Sequence, residues 1–312
     1  MSAQIAQPLV SVVMATYNGS RFLREQLDSI VNQTYPNLEI IVVDDCSTDD
    51  TVAILNAYAA KYANIKVYVN EVNLGYVKNF EKGLLLSTAN YISPCDQDDI
   101  WLPNKTEFLM AKLAGNAIVY CNSAIINEAG ELTGKKLSET KYLQTYDDCL
   151  QYTIGNTAAG HAMILTRKTM LDSMPLPTMI PHDYWLGFVA TFESQLLFVD
   201  EPLVWYRQHS ANVFGVKTEG VKKVKKVKPA KEVIQAKARE RMRLLYEKCP
   251  DYLTEQKAAF AGLSTSYESF SLINDFNRMR LFLKYRDRIL AYKNRSEWRK
   301  ILFSIKMFWM IK

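Results

Sequence analysis

The chain has 312 residues, 48% hydrophobic and 23% charged, with 12 glycines and 10 prolines. That composition excludes collagen-like, coiled-coil and disordered classes, and the length allows one large domain, alone or with an appendage. The net charge of +5 hides an asymmetry: residues 217–312 carry 24 Lys and Arg against 10 Asp and Glu, a net +14, which leaves −9 on residues 1–216.

Residues 9–15 and 39–45 are short β-branched runs, and between them Phe22, Leu23, Leu27, Ile30 and Val31 recur at helical spacing, predicting strand, helix, strand. A helix follows from Thr48 to Ala60, capped at Ser47 or Thr48, then strand Ile65–Asn70, helix Tyr76–Ser87 and strand Ala89–Ser93. Alternation of this kind with fully apolar strands predicts a doubly wound, mostly parallel sheet. Ligands in such sheets sit at the carboxyl ends of the strands. Four of these ends are polar: Thr16-Tyr17-Asn18, Asp44-Asp45, Asn70 and Asp96-Gln97-Asp98-Asp99. Further on, Ala117–Ser123, Ala162–Leu165 and Gln195–Val199 read as strands, and Asp183–Phe192 as a helix with Trp185, Leu186 and Val189 on one face. Beyond a boundary near 215–230 the spacing predicts helices over Glu232–Lys248, Tyr252–Ile273 and Phe276–Tyr292, so the chain divides into 1–216 and a basic helical region, 217–312.

Cys46, Cys95, Cys121, Cys149 and Cys249 are scattered and include no CxxC pair, which points away from a disulfide framework or a thiolate zinc site and fits a reducing cytoplasm. The apolar run Leu9–Ala15 has no basic residues before it and is too short for a bilayer span of about 20 residues.

Three carboxylates within the four residues Asp96–Asp99 repel one another unless something positive sits among them. Mg²⁺ or Mn²⁺, held by one or two hard carboxylate ligands and completed by substrate phosphates, supplies that charge. The competing reading is an acidic turn that caps the helix beginning near Pro103.

The segments PLVSVVMATYNGSRFLREQLDSIVNQTYPNLEIIVVDDCSTDDT, NLGYVKNFEKGLLLSTANYISPCDQDDIW, PHDYWLGFVA and YRQHSANVFG occur in this order. Together they resemble the family 2 inverting glycosyltransferases of GT-A fold, and within them the rhamnosyltransferases of bacterial surface polysaccharide assembly, over roughly residues 8–215. The resemblance implies a Rossmann-like nucleotide-binding sheet and places the nucleotide on Thr16, Tyr17 and Asn18. Its base-reading carboxylate falls on Asp45, which also fits a helix N-cap box with Asp44, Ser47 and Thr48. The family's DxD falls on Asp96-Gln97-Asp98, with Asp96 near the ribose and Asp98 on the metal. His209 stands where relatives return a His to the metal and diphosphate, and His182 is a weaker candidate. Lys78 substitutes for the family's arginine near the diphosphate, or is a solvated lysine. The general base falls on Asp183, where His182 replaces the more usual Glu; the alternative is a simple N-cap for its helix. The implied donor is dTDP-rhamnose or a UDP-hexose, and the implied acceptor a glycan or polyprenyl-linked hydroxyl.

Six lysines between Lys217 and Lys228 and a stripe of Trp298, Ile301, Leu302, Ile305, Phe308 and Trp309 resemble an interfacial segment that meets anionic lipid at the inner leaflet. The alternative is a helical bundle that packs on the catalytic domain. No base-reading motif accompanies the lysines, so nucleic acid is not an expected partner. Two other functions stay open at this level, a nucleotidyltransferase and a non-catalytic carbohydrate-binding protein of the same fold.

Overall fold

The structure, a computed structural model, describes residues 7–210 and 230–309; the lysine run between Lys217 and Lys228 lies outside them. Strands β1 (Val10–Thr16), β2 (Leu38–Asp44), β3 (Ile65–Val69) and β4 (Tyr91–Cys95) form the parallel half of the sheet in the order β3-β2-β1-β4. The other half is mixed. Strand β8 (Met163–Thr166) runs antiparallel to β4 and to β6 (Ile118–Ile126), and β6 pairs in parallel with β9 (Leu196–Arg207). The two-residue β5 (Ile100–Trp101) lies against β9, and β7 (Leu132–Lys136) against β6.

The first two strands are buried on both faces because both faces are covered, which explains their unbroken apolar runs. Val12, Met14, Ile40 and Val42 pack on α1 (Leu23–Val31) and α2 (Thr51–Lys61) through Leu23, Leu27, Ile54 and Leu55. Val13, Ile41 and Val43 face α3 (Tyr76–Leu86) through Val77, Phe80 and Leu84. Gly83 lets α3 come this close: a Cβ there would stand 2.6 Å from Val13 Cγ1. Helix α4 (Lys105–Lys112) follows β5, α5 (Arg167–Asp172) follows β8, and α6 is His182–Ala190.

Three local expectations are corrected. Helix α2 starts at Thr51, whose N–H is taken by Asp49 Oδ1 at 3.0 Å, because Ser47 is committed to Asp44 instead. Helix α6 is buried from Tyr184 to Ala190, with no exposed face. The break expected between the helices Tyr252–Ile273 and Phe276–Tyr292 falls earlier, between α8 (Thr254–Glu268) and α9 (Leu272–Lys284), where the Ser271 hydroxyl caps α9 by accepting from Asn274 N.

The C-terminal helices, α7 (Lys231–Lys248), α8, α9, α10 (Arg286–Ile289) and α11 (Glu297–Lys306), share a core with the sheet. Met242, Leu245, Phe260 and Leu263 belong to the same apolar cluster as Ile118, Leu165 and Leu196, and Phe260 meets Phe188 of α6 edge-on at 5.7 Å. Gln144 Nε2 donates to Ala291 O at 2.9 Å, and a Cβ on Gly155 would collide with the Tyr292 ring. Arg278, fully buried, ties α8, α9 and the end of α11 by donating to Ser266 O, Asp275 and Met307 O. Ser304 and Met307 of the α11 segment point inward, whereas Trp298 is 67% exposed and Trp309 53%. The expected apolar stripe is therefore split, with Ile301, Ile305 and Phe308 half-buried.

A shared core has a thermodynamic consequence. Phe260→Ala is expected to destabilise the whole chain by about 3–5 kcal/mol, read as one shifted transition in urea-dependent circular dichroism. A separate minor transition that alone shifts would show that the helices fold as an independent unit.

Candidate active site

A cleft of about 1160 Å³ opens at the carboxyl ends of β1, β2 and β4. Its floor is laced together by side chain to backbone hydrogen bonds. Asn18, in the left-handed region at φ 47°, donates its N–H to Ser47 Oγ at 2.8 Å and accepts from Thr48 N at 2.8 Å. Gln97 clasps the backbone of Tyr17 on both sides, accepting from its N–H at 2.9 Å and donating to its C=O at 3.1 Å. Gly19 is required beside this clasp, since a Cβ would collide with the Gln97 amide. Thr16 gives its hydroxyl to Asp44 at 2.8 Å, which leaves Tyr17, 48% exposed, as the aromatic surface of this turn.

Asp45 lines the cleft but is nearly buried, and it organises the next loop. Its oxygens accept from Leu74 N at 2.7 Å, Gly75 N at 2.8 Å and Asn70 Nδ2 at 2.9 Å. A carboxylate has about four acceptor sites, so these three bonds leave one over. Lys78 is not brought to the wall: its ammonium pairs with Glu81 at 2.7 Å, and Tyr76, Asn79 and Phe80 of the same helix line the cleft instead.

The acidic run at the end of β4 is resolved residue by residue. Asp98 Oδ2 lies 2.8 Å from His209 Nε2, with the His209 ring 4.8 Å from Phe22. Asp96 and Asp99 each approach His161 Nδ1, at 3.6 and 3.5 Å. Burial would raise the Asp96 carboxyl, but the neighbouring His161 imidazole outweighs it and holds it below its usual range. Asp99, fully enclosed and crowded by its neighbours, is pushed up to about 8 and accepts from Arg207 N at 3.0 Å. Burial alone would lower His161; Asp99 and Asp96 overcome it and hold the imidazole above its ordinary value. Arg207 fixes the frame, donating to Asp98 O at 2.9 Å, Glu128 O at 3.1 Å and Glu25 at 2.8 Å.

Two donor sets fit a hard divalent ion. Asp96, Asp99 and His161 place one ligand atom each within 4.8 Å of one another. The Asp98–His209 pair faces the cleft, and its 2.8 Å separation is close to the roughly 3 Å edge of an octahedral shell with bonds of about 2.0–2.1 Å.

Asp183 is the second residue of α6, whose N-cap is Pro181, so the simple capping role does not hold; among the described residues its Oδ1 accepts from the adjacent Tyr184 N, at 2.7 Å. His182 stacks on Phe80 at 3.9 Å, and burial keeps its imidazole below the ordinary value. Gly160 backs this turn, where a Cβ would stand 2.7 Å from His182 Nε2. Sequence reasoning missed His161, Arg207 and the cations Lys141, Lys237 and Arg241, which also line the cleft or frame it. One signal was available: the chain has three histidines, and all three line this cleft.

The model of the family described as Glycosyl transferase family 2 matches residues 11–171. The Escherichia coli UDP-Glc:alpha-D-GlcNAc-diphosphoundecaprenol beta-1,3-glucosyltransferase WfgD is 30% identical over 57% of this chain and 68% of its own. The dTDP-rhamnosyl transferase RfbG of Shigella flexneri is 29% identical over 65% of this chain and 73% of its own. Among solved structures, S. aureus TarS in complex with UDP-GlcNAc superposes with a TM-score of 0.60 at 18% identity, over 96% of this chain and 90% of that one. The sheet has the GT-A architecture of this neighbour, and the chain is a glycosyltransferase belonging to glycosyl transferase family 2.

Proposed function

We propose that the protein is a metal-dependent inverting transferase that moves one sugar from a nucleoside diphosphate donor to a hydroxyl of a glycan or lipid-linked acceptor in surface polysaccharide synthesis. The observation that carries this reading is the meeting of the Tyr17 turn, the Asp98–His209 pair and the Asp183 carboxylate in one cleft. The donor is read as dTDP-rhamnose or a UDP-hexose, supported by what RfbG and TarS are named for or hold.

In this mechanism Tyr17 and Asn18 receive the nucleoside, and the free acceptor site of Asp45 takes the imide N–H of a uracil or thymine. Asp98 and His209 would hold Mg²⁺ or Mn²⁺, which when bound supplies positive charge against the diphosphate. Asp183 accepts the proton of the acceptor hydroxyl as that oxygen bonds to the anomeric carbon. The carbon–oxygen bond to the diphosphate breaks on the opposite face, and its electron pair leaves with the nucleoside diphosphate. Gln97 acts through the Tyr17 backbone and is a positioning residue. No described helix is long and apolar enough to cross a membrane. Exposed Trp298, Leu302 and Trp309 on the α11 segment support peripheral attachment at the inner face of the cytoplasmic membrane.

Three outcomes test this reading. Asp98→Ala is expected to weaken Mn²⁺-dependent binding of UDP or dTDP at least tenfold, and His209→Ala to weaken it less; calorimetry that finds the Asp98 variant unchanged removes the metal role. Asp183→Asn is expected to lower the transfer rate about 10²–10⁴-fold while nucleotide affinity stays within twofold, and a rate within threefold of the parent removes Asp183 as base. Substituting Trp298 and Trp309 together by Glu is expected to release the protein from anionic vesicles without loss of nucleotide binding. Equal sedimentation with vesicles before and after substitution contradicts the attachment surface.

A further inference from the structure

The cleft carries cations that the transfer step does not use. Lys141, from the loop before Leu143, lines it together with Lys237 and Arg241, which stand four residues apart on one face of α7. The charge of Arg241 acts on the Tyr184 hydroxyl, and Tyr184 follows Asp183 in α6. Burial lowers the Lys141 ammonium, and the nearby Asp183 carboxylate acts in the opposite sense. All three cations thus line the cleft that holds Asp183, and Lys141 is within electrostatic reach of it.

Their pairing differs from that of the neighbouring cations. Arg243, on another face of α7, is paired with both Glu240 and Glu247, each at 2.6 Å. Arg21, the other arginine lining the cleft, is paired with Glu128. Among the described residues, no carboxylate comes within ion-pair distance of Lys141, Lys237 or Arg241. Three cations without a carboxylate at ion-pair distance, lining a concave site, form a receptor for an anion. Arg241 and Lys237 offer eight N–H donors between them, and phosphate oxygens are the acceptors that match such a set.

We propose that Lys141, Lys237 and Arg241 form an acceptor subsite that binds a phosphate group on the acceptor and so presents the acceptor hydroxyl to Asp183. This rests on the reading of Asp183 as the base and adds the chemical class of the acceptor: a phosphate-bearing one. It also gives the C-terminal helices a part in the active site, since α7 supplies two of the three cations. A phosphate of this kind can come from a lipid-linked diphosphate or from a soluble phosphate ester.

The test uses the full chain loaded with Mn²⁺ and saturating UDP or dTDP, so that the donor's own diphosphate site is filled. Decyl diphosphate and glycerol 3-phosphate are titrated by calorimetry, with decyl glucoside as the uncharged control. Saturable binding of decyl diphosphate, weakened at least tenfold in Lys237→Met/Arg241→Met and in Lys141→Met with nucleotide affinity within twofold, is the expected result. Equal binding of glycerol 3-phosphate assigns the subsite to soluble phosphate esters, and its failure beside decyl diphosphate assigns it to lipid-linked ones. Absence of saturable binding by either phosphate, equal binding of decyl glucoside, or variants within twofold of the parent overturns the proposal. A parallel loss of nucleotide affinity also overturns it, because the cations then hold the donor's diphosphate. Should neither nucleotide bind the parent protein, the transferase reading fails, and the same phosphate titrations on the nucleotide-free chain still decide the subsite.

Discussion

Three carboxylates, Asp96, Asp98 and Asp99, have to share the end of one strand, and the rest of the cleft is arranged around their mutual repulsion. Three different solutions are used within four residues. Asp98 faces His209 across 2.8 Å, Asp96 is held low by His161, and Asp99 is enclosed so completely that its carboxyl is pushed up to about 8. The repulsion is therefore met inside the protein, by His209 beside Asp98, by His161 between Asp96 and Asp99, and by the enclosure of Asp99.

Such an arrangement needs a rigid frame, because the three groups differ only in where each points. Arg207 supplies much of it. This residue is fully buried at the end of β9, yet its backbone and side chain hold Asp99, the Asp98 carbonyl, Glu25 and the Glu128 carbonyl at once. On the other side, Gln97 bolts the β4 loop to the Tyr17 backbone, and Asn18 bolts that turn to the loop after β2. The loops that would grip a nucleotide, hold a metal and position the acceptor are thus one connected piece. The C-terminal helices close it from outside, through Phe260 on Phe188 and Tyr292 against Gly155.

Much of this was legible in the sequence where the signal is local. The runs VSVVMAT and EIIVVDD, buried on both faces, read directly as central parallel strands, and their polar ends marked the cleft. The segment that carries Asp96–Asp99 and the turn His182-Asp183 were also visible, since their chemistry is written in consecutive residues. What stayed hidden depends on long-range contact. His161 precedes β8 in a short turn with no pattern around it, and only the antiparallel pairing of β8 with β4 brings it to the acidic run. Lys78 looked available from its place near a glycine turn, but helical spacing gives it Glu81 as a partner. Ser47 seemed a helix cap until Asp44, three residues earlier, took its hydroxyl. Lys237 and Arg241 sit in a helix whose basic character reads as surface, and the packing of α7 on the sheet domain makes them part of the cleft lining.

The central claim is that His209, with Asp98, is the protein's contribution to a divalent-ion site, and that His161 serves the neighbouring carboxylates. Electron spin echo modulation of the Mn²⁺-nucleotide complex tests this most directly, because a ligated imidazole nitrogen modulates the manganese echo. The expected result is nitrogen modulation in the parent protein that disappears in His209→Gln and survives in His161→Gln. Modulation that survives in His209→Gln and vanishes in His161→Gln would place the ion among Asp96, Asp99 and His161 and contradict the account.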